Sequence, residues 1–193
     1  MKNVLIIFGI VCLITGCNDS GSSDGGGGSD LFTVPTAAIT VDGSAADWSG
    51  VPIYITDDFG EATAPDADLM TMYIAKDSTY LYVLIVLSIG NSVNQNLEYH
   101  LRYDMANDRS IKVTYSTQWD LTRSFQGSPV ATYGVGDIAT ASERIEYRVP
   151  LVDVQTDMEN GVEVNGMSTL FAVWELGEID DYDQAFGQAL SFN

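Results

Sequence analysis

The chain has few histidines, cysteines and basic residues, and each shortage excludes a class of function. Among 193 residues there are one histidine, two cysteines and 8 lysines and arginines, against 27 acidic residues. One histidine cannot supply a histidine-rich zinc site, and a net charge of −19 repels nucleic acid. The sequence contains no nucleophile elbow and no glycine-rich phosphate loop. We therefore expect a protein that neither binds nucleic acid nor catalyses a reaction.

The first 17 residues are too short for a membrane span but have the composition of a secretory signal. Lys2 precedes an apolar run over residues 4–14, and residues 14–17 are ITGC. A charged start, a short apolar core and a small-residue cut site are typical of a signal peptide. The last four residues resemble the lipobox of bacterial lipoproteins, which implies removal of residues 1–16 and acylation of Cys17. The alternative is an ordinary signal peptide with an incidental cysteine.

A flexible tether and one folded domain follow the predicted cleavage site. Residues 18–30 contain no apolar side chain, so burial cannot offset the entropy of ordering them. We expect a tether over residues 17–30 and a single domain over 31–193. Removal of Cys12 and acylation of Cys17 leave no thiol for an internal disulfide, so a hydrophobic core must stabilise the domain.

The residue after the acylated cysteine indicates which membrane holds the lipoprotein. In many Gram-negative lipoproteins an aspartate at this position is associated with retention in the inner membrane, and here the residue is Asn18. We therefore expect a lipid-anchored protein of the cell envelope, held at the outer membrane. The expected partners are the membrane, through the lipid, and a glycan or another envelope protein; the oligomeric state stays open.

Short β-rich runs separated by Gly, Asn, Asp and Pro fill the rest of the chain, without a helical period longer than two turns. This pattern predicts an all-β, antiparallel β-sandwich of the jelly-roll or immunoglobulin-like kind. Residues 80–89 are apolar on both faces, which predicts a central strand covered on each side. The predicted strands are 38–41, 52–56, 69–75, 80–89, 96–103, 110–116, 130–133, 144–149 and 168–174.

Two of these strands alternate between apolar and charged residues. In 96–104 the polar positions include Glu98, His100 and Arg102, and 144–149 alternates in the same way. We expect the two strands to share a charged face, with His100 at the surface. Haem would need an axial ligand such as His100 and a methionine, but a lone strand histidine and the absence of a CxxCH motif disfavour it.

Four motifs occur in an order that resembles a known family. They are ITVDGSAADW at 39–48, DLMTMYIAKDSTYLYV at 68–83, YD followed by ND over 103–108, and IE followed by VPL over 145–151. Together they resemble the carbohydrate-binding module family 9-like domains, a β-sandwich group related to the DOMON superfamily, over about residues 38–175. The resemblance implies the fold. It leaves the ligand open, because members include sugar-binding modules, haem-binding subunits and envelope domains of unknown role.

The residues that carry the resemblance have structural interpretations of their own. Asp42-Gly43 and residues 76–79 are expected turns, and Asp47 is an expected cap for a single turn around Trp48. Trp48 is expected to fill the end of the sandwich; the alternative is a ligand platform.

Acidic residues cluster in three predicted loops, where carboxylate and amide oxygens are the ligands that calcium prefers. The resemblance adds an expectation of structural calcium, and the alternative is that these are solvated turns. The first-choice ligands are Asp57, Asp58, Asp66, Asp68, Asp104, Asn107 and Asp108. The remaining acidic residues of the clusters are Glu61, Glu178, Asp180, Asp181 and Asp183.

Two tryptophans are candidate platforms for a sugar, whose apolar face stacks on a flat ring. Trp119 stands in a polar stretch beside Gln118 and Arg123, and Trp174 ends a predicted strand. An exposed indole in a groove would favour a glycan-binding module. Burial of both would favour a structural, adhesion or assembly domain without a small ligand.

Overall fold

Two antiparallel sheets pack face to face in the computed structural model, which describes residues 31–58, 60, 67–88, 90, 92–104, 108–159, 170–175, 181–188 and 190–192. The single α-helix of these residues, α1 (Leu151–Glu159), follows β10. In chain order the strands are β1 (Phe32–Thr33), β2 (Ile53–Thr56), β3 (Leu69–Lys76), β4 (Tyr80–Leu87), β5 (Leu97–Asp104), β6 (Arg109–Tyr115), β7 (Trp119–Phe125), β8 (Ser128–Thr132), β9 (Ile138–Ala141), β10 (Arg144–Pro150), β11 (Leu170–Glu175), β12 (Asp181–Phe186) and β13 (Leu190–Ser191).

The sheets have different sizes, and each is built from two separate stretches of the chain. The five-stranded sheet has the order β2-β3-β4-β10-β9, and the six-stranded sheet has the order β12-β11-β5-β6-β7-β8. A short parallel pair, β1 with β13, joins the two ends of the domain. The predicted all-β antiparallel sandwich is confirmed.

One hydrophobic core fills the space between the sheets. Met72 and Ile85 of the five-stranded sheet and Leu101 and Val113 of the six-stranded sheet belong to it, and each is at most 2% exposed. Burial of such side chains contributes about 1.5–3 kcal/mol each. The core therefore fixes the register of both sheets, because a one-residue slip would turn these side chains outward.

Strand β4 is the centre of the five-stranded sheet, as its sequence predicts. Val83 and Ile85 face the core between the sheets, and Tyr82 and Leu84 face a second apolar cluster on the outer side. The predicted turn between β3 and β4 is also confirmed, because the Asp77 carboxylate accepts hydrogen bonds from the N–H groups of Thr79 and Tyr80 at 2.6 and 2.7 Å.

Residues 36–51 cover the outer side of the five-stranded sheet instead of forming the strand predicted at 38–41. Ile39 is 8% exposed and packs against Ala75 and Tyr82. The N–H group of Thr40 donates to the Asp47 carboxylate at 3.0 Å, which replaces a strand partner. This segment buries a sheet face that would otherwise meet water.

The elements that were not predicted are β1, β7, β9, β12, β13 and α1. The polar stretch around Trp119 is strand β7, and Asp181 and Asp183 belong to strand β12 instead of a loop. Pro150 ends β10 and the chain enters α1, where buried Leu151, Val154 and Asp157 recur every third residue on one face. Within the described residues no helix has the length and apolar content that a bilayer crossing requires.

The expected charged face shared by residues 96–104 and 144–149 is wrong. β5 lies in the six-stranded sheet and β10 in the five-stranded sheet. Their polar sides therefore face outward on opposite sides of the sandwich, because their apolar sides meet in the core between the sheets.

Candidate functional site

A shallow groove of about 270 Å³ opens on the outer side of the five-stranded sheet. Its floor comes from strands β3, β4 and β10, and its wall from the turn around Trp48. The lining residues are Ala45, Trp48, Ser49, Thr71, Tyr73, Leu84, Val86 and Arg144.

The strand register builds the floor. Thr71 lies opposite Val86, and Val86 lies opposite Arg144, so these three residues form one row across the sheet. The next row is Tyr73, Leu84 and Glu146. Directly opposed residues of antiparallel strands share a face, so the two rows place hydroxyl groups at one end and a guanidinium group at the other end of an apolar floor.

Glu146 holds the wall of the groove in place. It is 0% exposed, and its carboxylate accepts hydrogen bonds from the N–H groups of Asp42 (2.9 Å) and Gly43 (2.7 Å) and from Nε1 of Trp48 (2.7 Å). Gly43 has φ +79°, and a Cβ there would come within 3.1 Å of the Cβ of Ala141, so this position requires glycine. The predicted turn at Asp42-Gly43 is confirmed, with the N–H of Ser44 donating to the Asp42 carboxylate at 2.7 Å.

Trp48 is a core residue, as expected, but its place differs from the prediction. It is 2% exposed and covers the outer side of the five-stranded sheet instead of the end of the sandwich. Asp47 does not cap its turn; it lies inside the 3-10 turn Ala46–Trp48, where its carboxylate accepts from Thr40.

Tyr73 contributes the more accessible aromatic ring of the groove. Its ring lies 6.1 Å from that of Trp48 at 57°, and its side chain is half-buried. The groove thus combines aromatic and aliphatic contact area with the hydroxyls of Ser49, Thr71 and Tyr73 and the guanidinium of Arg144. An apolar surface with a few converging polar groups is the usual make-up of a small-molecule site.

The outer side of the six-stranded sheet is polar and partly buried. His100 is 0% exposed, and its Nε2 lies 2.8 Å from a carboxylate oxygen of Glu98. Burial lowers the pKa of His100, and the hydrogen bond from His100 lowers the pKa of Glu98. The expectation that His100 lies at the surface is wrong, because neighbouring residues of this face exclude water from it.

The predicted sugar-contacting residues all belong to the six-stranded sheet or the turn before β7, but the described ones face different surroundings. The half-buried ring of Trp119 packs against the core and lies 5.3 Å from Tyr115. Gln118 is exposed in the turn before β7, while Arg123 binds α1 through the carbonyl of Asp153 at 2.9 Å. The register places Trp174 opposite Glu98, in the six-stranded sheet; its side chain is outside the described residues.

Arg123 belongs to a buried ionic cluster that attaches α1 to the six-stranded sheet. Asp157 is 6% exposed, accepts a hydrogen bond from Tyr103 and pairs with Arg109. Arg123 pairs with the same carboxylate at 3.3 Å. The cluster closes one end of the sandwich, and the sequence did not suggest it because Asp157 stood outside every predicted strand or acidic cluster.

The described acidic residues do not assemble a calcium site. Within the described part of the chain no three or more His, Cys, Asp or Glu side chains come together as metal ligands would. The Asp68 carboxylate accepts from the N–H of Gly60 at 3.0 and 3.1 Å, and Asp108 pairs with Arg102 at 2.8 Å. Asp66, Asn107 and the side chain of Asp104 lie outside the described residues, so calcium stays a prediction.

The remaining acidic residues of the predicted clusters either lie outside the described residues or belong to strand β12. Glu61, Glu178 and Asp180 are outside the described residues. Asp183 is 6% exposed, and its carboxylate accepts from the N–H of Leu69 at 2.6 Å, which ties β12 to the first residue of β3. That bond gives Asp183 a structural role.

A comparison with solved structures found three that align with most of this chain. No protein-family model matches the sequence, and a search of curated proteins found no match. A family 9 carbohydrate-binding module from Caldicellulosiruptor kristjanssonii aligns in its complex with cellotriose at 16% identity over 82% of this chain and 84% of that chain, with a TM-score of 0.38. Its complex with glucose aligns at 17% identity over 82% and 85%, with a TM-score of 0.38.

The third structure is a candidate carbohydrate-binding protein from Bacteroides uniformis. It aligns at 10% identity over 83% of this chain and 90% of that chain, with a TM-score of 0.37. All three TM-scores are below 0.5, so the fold described above rests on this chain's own sheets. The cellotriose and glucose of the two family 9 complexes are ligands of that module.

Sequence analysis missed the groove residues Thr71, Tyr73 and Arg144. The signal that could have identified them is their alternation with core residues such as Met72 and Ile145, because they are polar or amphipathic positions on strands that are otherwise apolar. The β3–β4 hairpin, which the sequence predicts, places Thr71 and Tyr73, but only the pairing of β4 with the distant β10 adds Arg144, and nothing local in the sequence predicts that pairing.

Proposed function

We propose that this chain is a cell-envelope lipoprotein, anchored through Cys17, whose β-sandwich binds a glycan in the groove without catalysing a reaction. The observation that carries the proposal is the combination of Tyr73, an apolar floor and a polar rim in one groove of about 270 Å³. That volume lies just below the roughly 300–1,000 Å³ typical of drug-sized ligands, and it suits a single sugar ring.

The chemistry of the groove matches that of a pyranose. The C–H face of the sugar packs on Tyr73 and on the aliphatic floor of Leu84 and Val86, while Thr71 and Ser49 exchange hydrogen bonds with its hydroxyls. Among the described residues that line the groove there is no acid, histidine or cysteine, and this supports binding over catalysis.

A glycan array probed with the detergent-extracted mature protein, in calcium and in chelator, tests the proposal. We expect binding that Tyr73→Ala abolishes, because the substitution removes the accessible ring of the groove. Tyr115→Ala is the matched control, since Tyr115 is also half-buried at a strand but packs on Trp119 in the other sheet. Equal loss in both variants, or unchanged binding in Tyr73→Ala, would remove the groove from the proposal.

The alternative is an assembly or adhesion domain, and one observation favours it. Strand β8 ends the six-stranded sheet, four of its five residues are exposed, and Val130 is 52% exposed. Such an edge can pair with a strand of a partner protein. An array without any bound glycan, together with capture of an envelope protein that Val130→Lys prevents, would favour this alternative.

A further inference from the structure

Arg144 is the only charged residue among the described residues that line the groove. Elsewhere acidic residues dominate the chain, which carries 27 of them against 8 lysines and arginines. A cation at the edge of an apolar floor attracts an anionic group, because the low local dielectric of that floor strengthens the attraction.

The guanidinium of Arg144 has hydrogen-bonding capacity beyond its protein partner. Its Nε donates to Oε1 of Glu143 at 3.2 Å, and Nη2 lies 3.2 Å from the same oxygen, so most of its five N–H groups stay available to a ligand. The side chains are 30% and 29% exposed, so this ion pair is weak and a ligand can compete with it. A carboxylate is planar and suits the two-pronged donor geometry of arginine.

We infer that the groove selects a sugar that carries a carboxylate, a hexuronic acid residue, through Arg144; this rests on the proposed function. Arg144 lies opposite Val86 in the register, at the end of the row that begins with Thr71. A ring lying on the floor therefore has hydroxyl partners at one end and the guanidinium at the other. The carboxylate of a uronate then meets Arg144.

Calorimetric titration of the detergent-extracted mature protein with methyl glycosides tests the inference. The glycosides are those of glucose and galactose, each paired with the corresponding uronate. We expect the uronate of the better pair to bind about tenfold more tightly than its neutral partner, as one charge-assisted bond provides. The preference should shrink at high salt, because both charged groups are partly exposed.

Two arginine variants separate the role of Arg144 from a general charge effect. Arg144→Gln should abolish the preference, because it weakens binding of the uronate much more than binding of the neutral glycoside. Arg148→Gln is the matched control, because Arg148 lies four residues along the same strand, donates to Asp137 at 2.8 Å and stacks over Tyr80, outside the groove. It should keep the preference.

The outcomes distinguish the two claims. Binding of neutral and acidic glycosides with equal affinity, or a preference that survives in Arg144→Gln, overturns the inference and leaves the proposed function standing. No binding of any of the four glycosides, in a protein whose melting curve shows it folded, contradicts both.

Discussion

At the scale of single residues, buried polar groups tie distant parts of the chain to the sheets around the hydrophobic core. Glu146 accepts three N–H bonds from residues 98 to 104 positions earlier in the chain. His100 and Glu98 form a second buried pair, on the opposite sheet. Each group is costly to bury alone and stabilising only with its partners present.

Glu146→Gln should lower the free energy of unfolding by about 2–4 kcal/mol, because the new amide N–H₂ faces N–H donors and leaves at least one of them unpaired. Chemical denaturation measures the change. Glu143→Gln is the control, a partly exposed carboxyl next to the same strand, and should cost about 0.5 kcal/mol or less. A similar cost for both variants would mean that Glu146 does not anchor the turn.

The buried His100 predicts a stability that falls on acidification. Burial lowers its pKa, so below about pH 6.5 the unfolded chain binds a proton that the folded chain does not, and stability drops as the pH falls. The pKa of Glu98 is also lowered, which adds stability at neutral pH that is lost at lower pH. His100→Gln, which retains a donor for Glu98, should flatten the melting temperature between about pH 7 and pH 5. An unchanged slope in that variant would contradict this account.

At the scale of elements, close backbone packing joins the last strand to the sheet. Tyr54 of β2 lies against Gly187, its hydroxyl donates to the carbonyl of Gln188, and β13 then pairs with β1. A Cβ at Gly187 would overlap the Tyr54 ring, whereas one at Gly50 meets no atom within 4 Å.

Gly187→Ala should therefore destabilise the domain by about 1–3 kcal/mol through overpacking. Gly50→Ala should be neutral or slightly stabilising, because it only reduces the freedom of the unfolded chain. Thermal melts of the two variants make the comparison. Equal melting temperatures would show that the end of the chain is not held against Tyr54.

At the scale of the whole molecule, the sequence predicts the class of fold better than the site. The long apolar run of β4 and the turn at 76–79 identify the centre of one sheet, because they need no distant partner to be recognised. Strand β7 was missed because Arg123 interrupts its apolar face, and α1 accommodates that arginine through Asp157 and the carbonyl of Asp153. The groove also needs β10, which is distant in sequence from the β3–β4 hairpin, so local patterns do not reveal it.

The predicted lipid anchor gives the molecule its proposed place in the cell. Cys17→Ser should move the protein from the membrane fraction to the soluble fraction without changing its melting temperature, because acyl chains contribute about 0.8 kcal/mol per buried CH₂ and two or more chains hold it firmly. Fractionation after a high-salt wash measures this. Continued membrane association of the variant would contradict the lipoprotein proposal.

The most direct test of the central claim is a map of amide chemical-shift changes during glycan titration of the isotope-labelled protein. The account predicts that the changes concentrate at Thr71, Tyr73 and Arg144 and at the turn around Trp48. Changes centred on Glu98, His100 and Thr122, on the outer side of the six-stranded sheet, would contradict it.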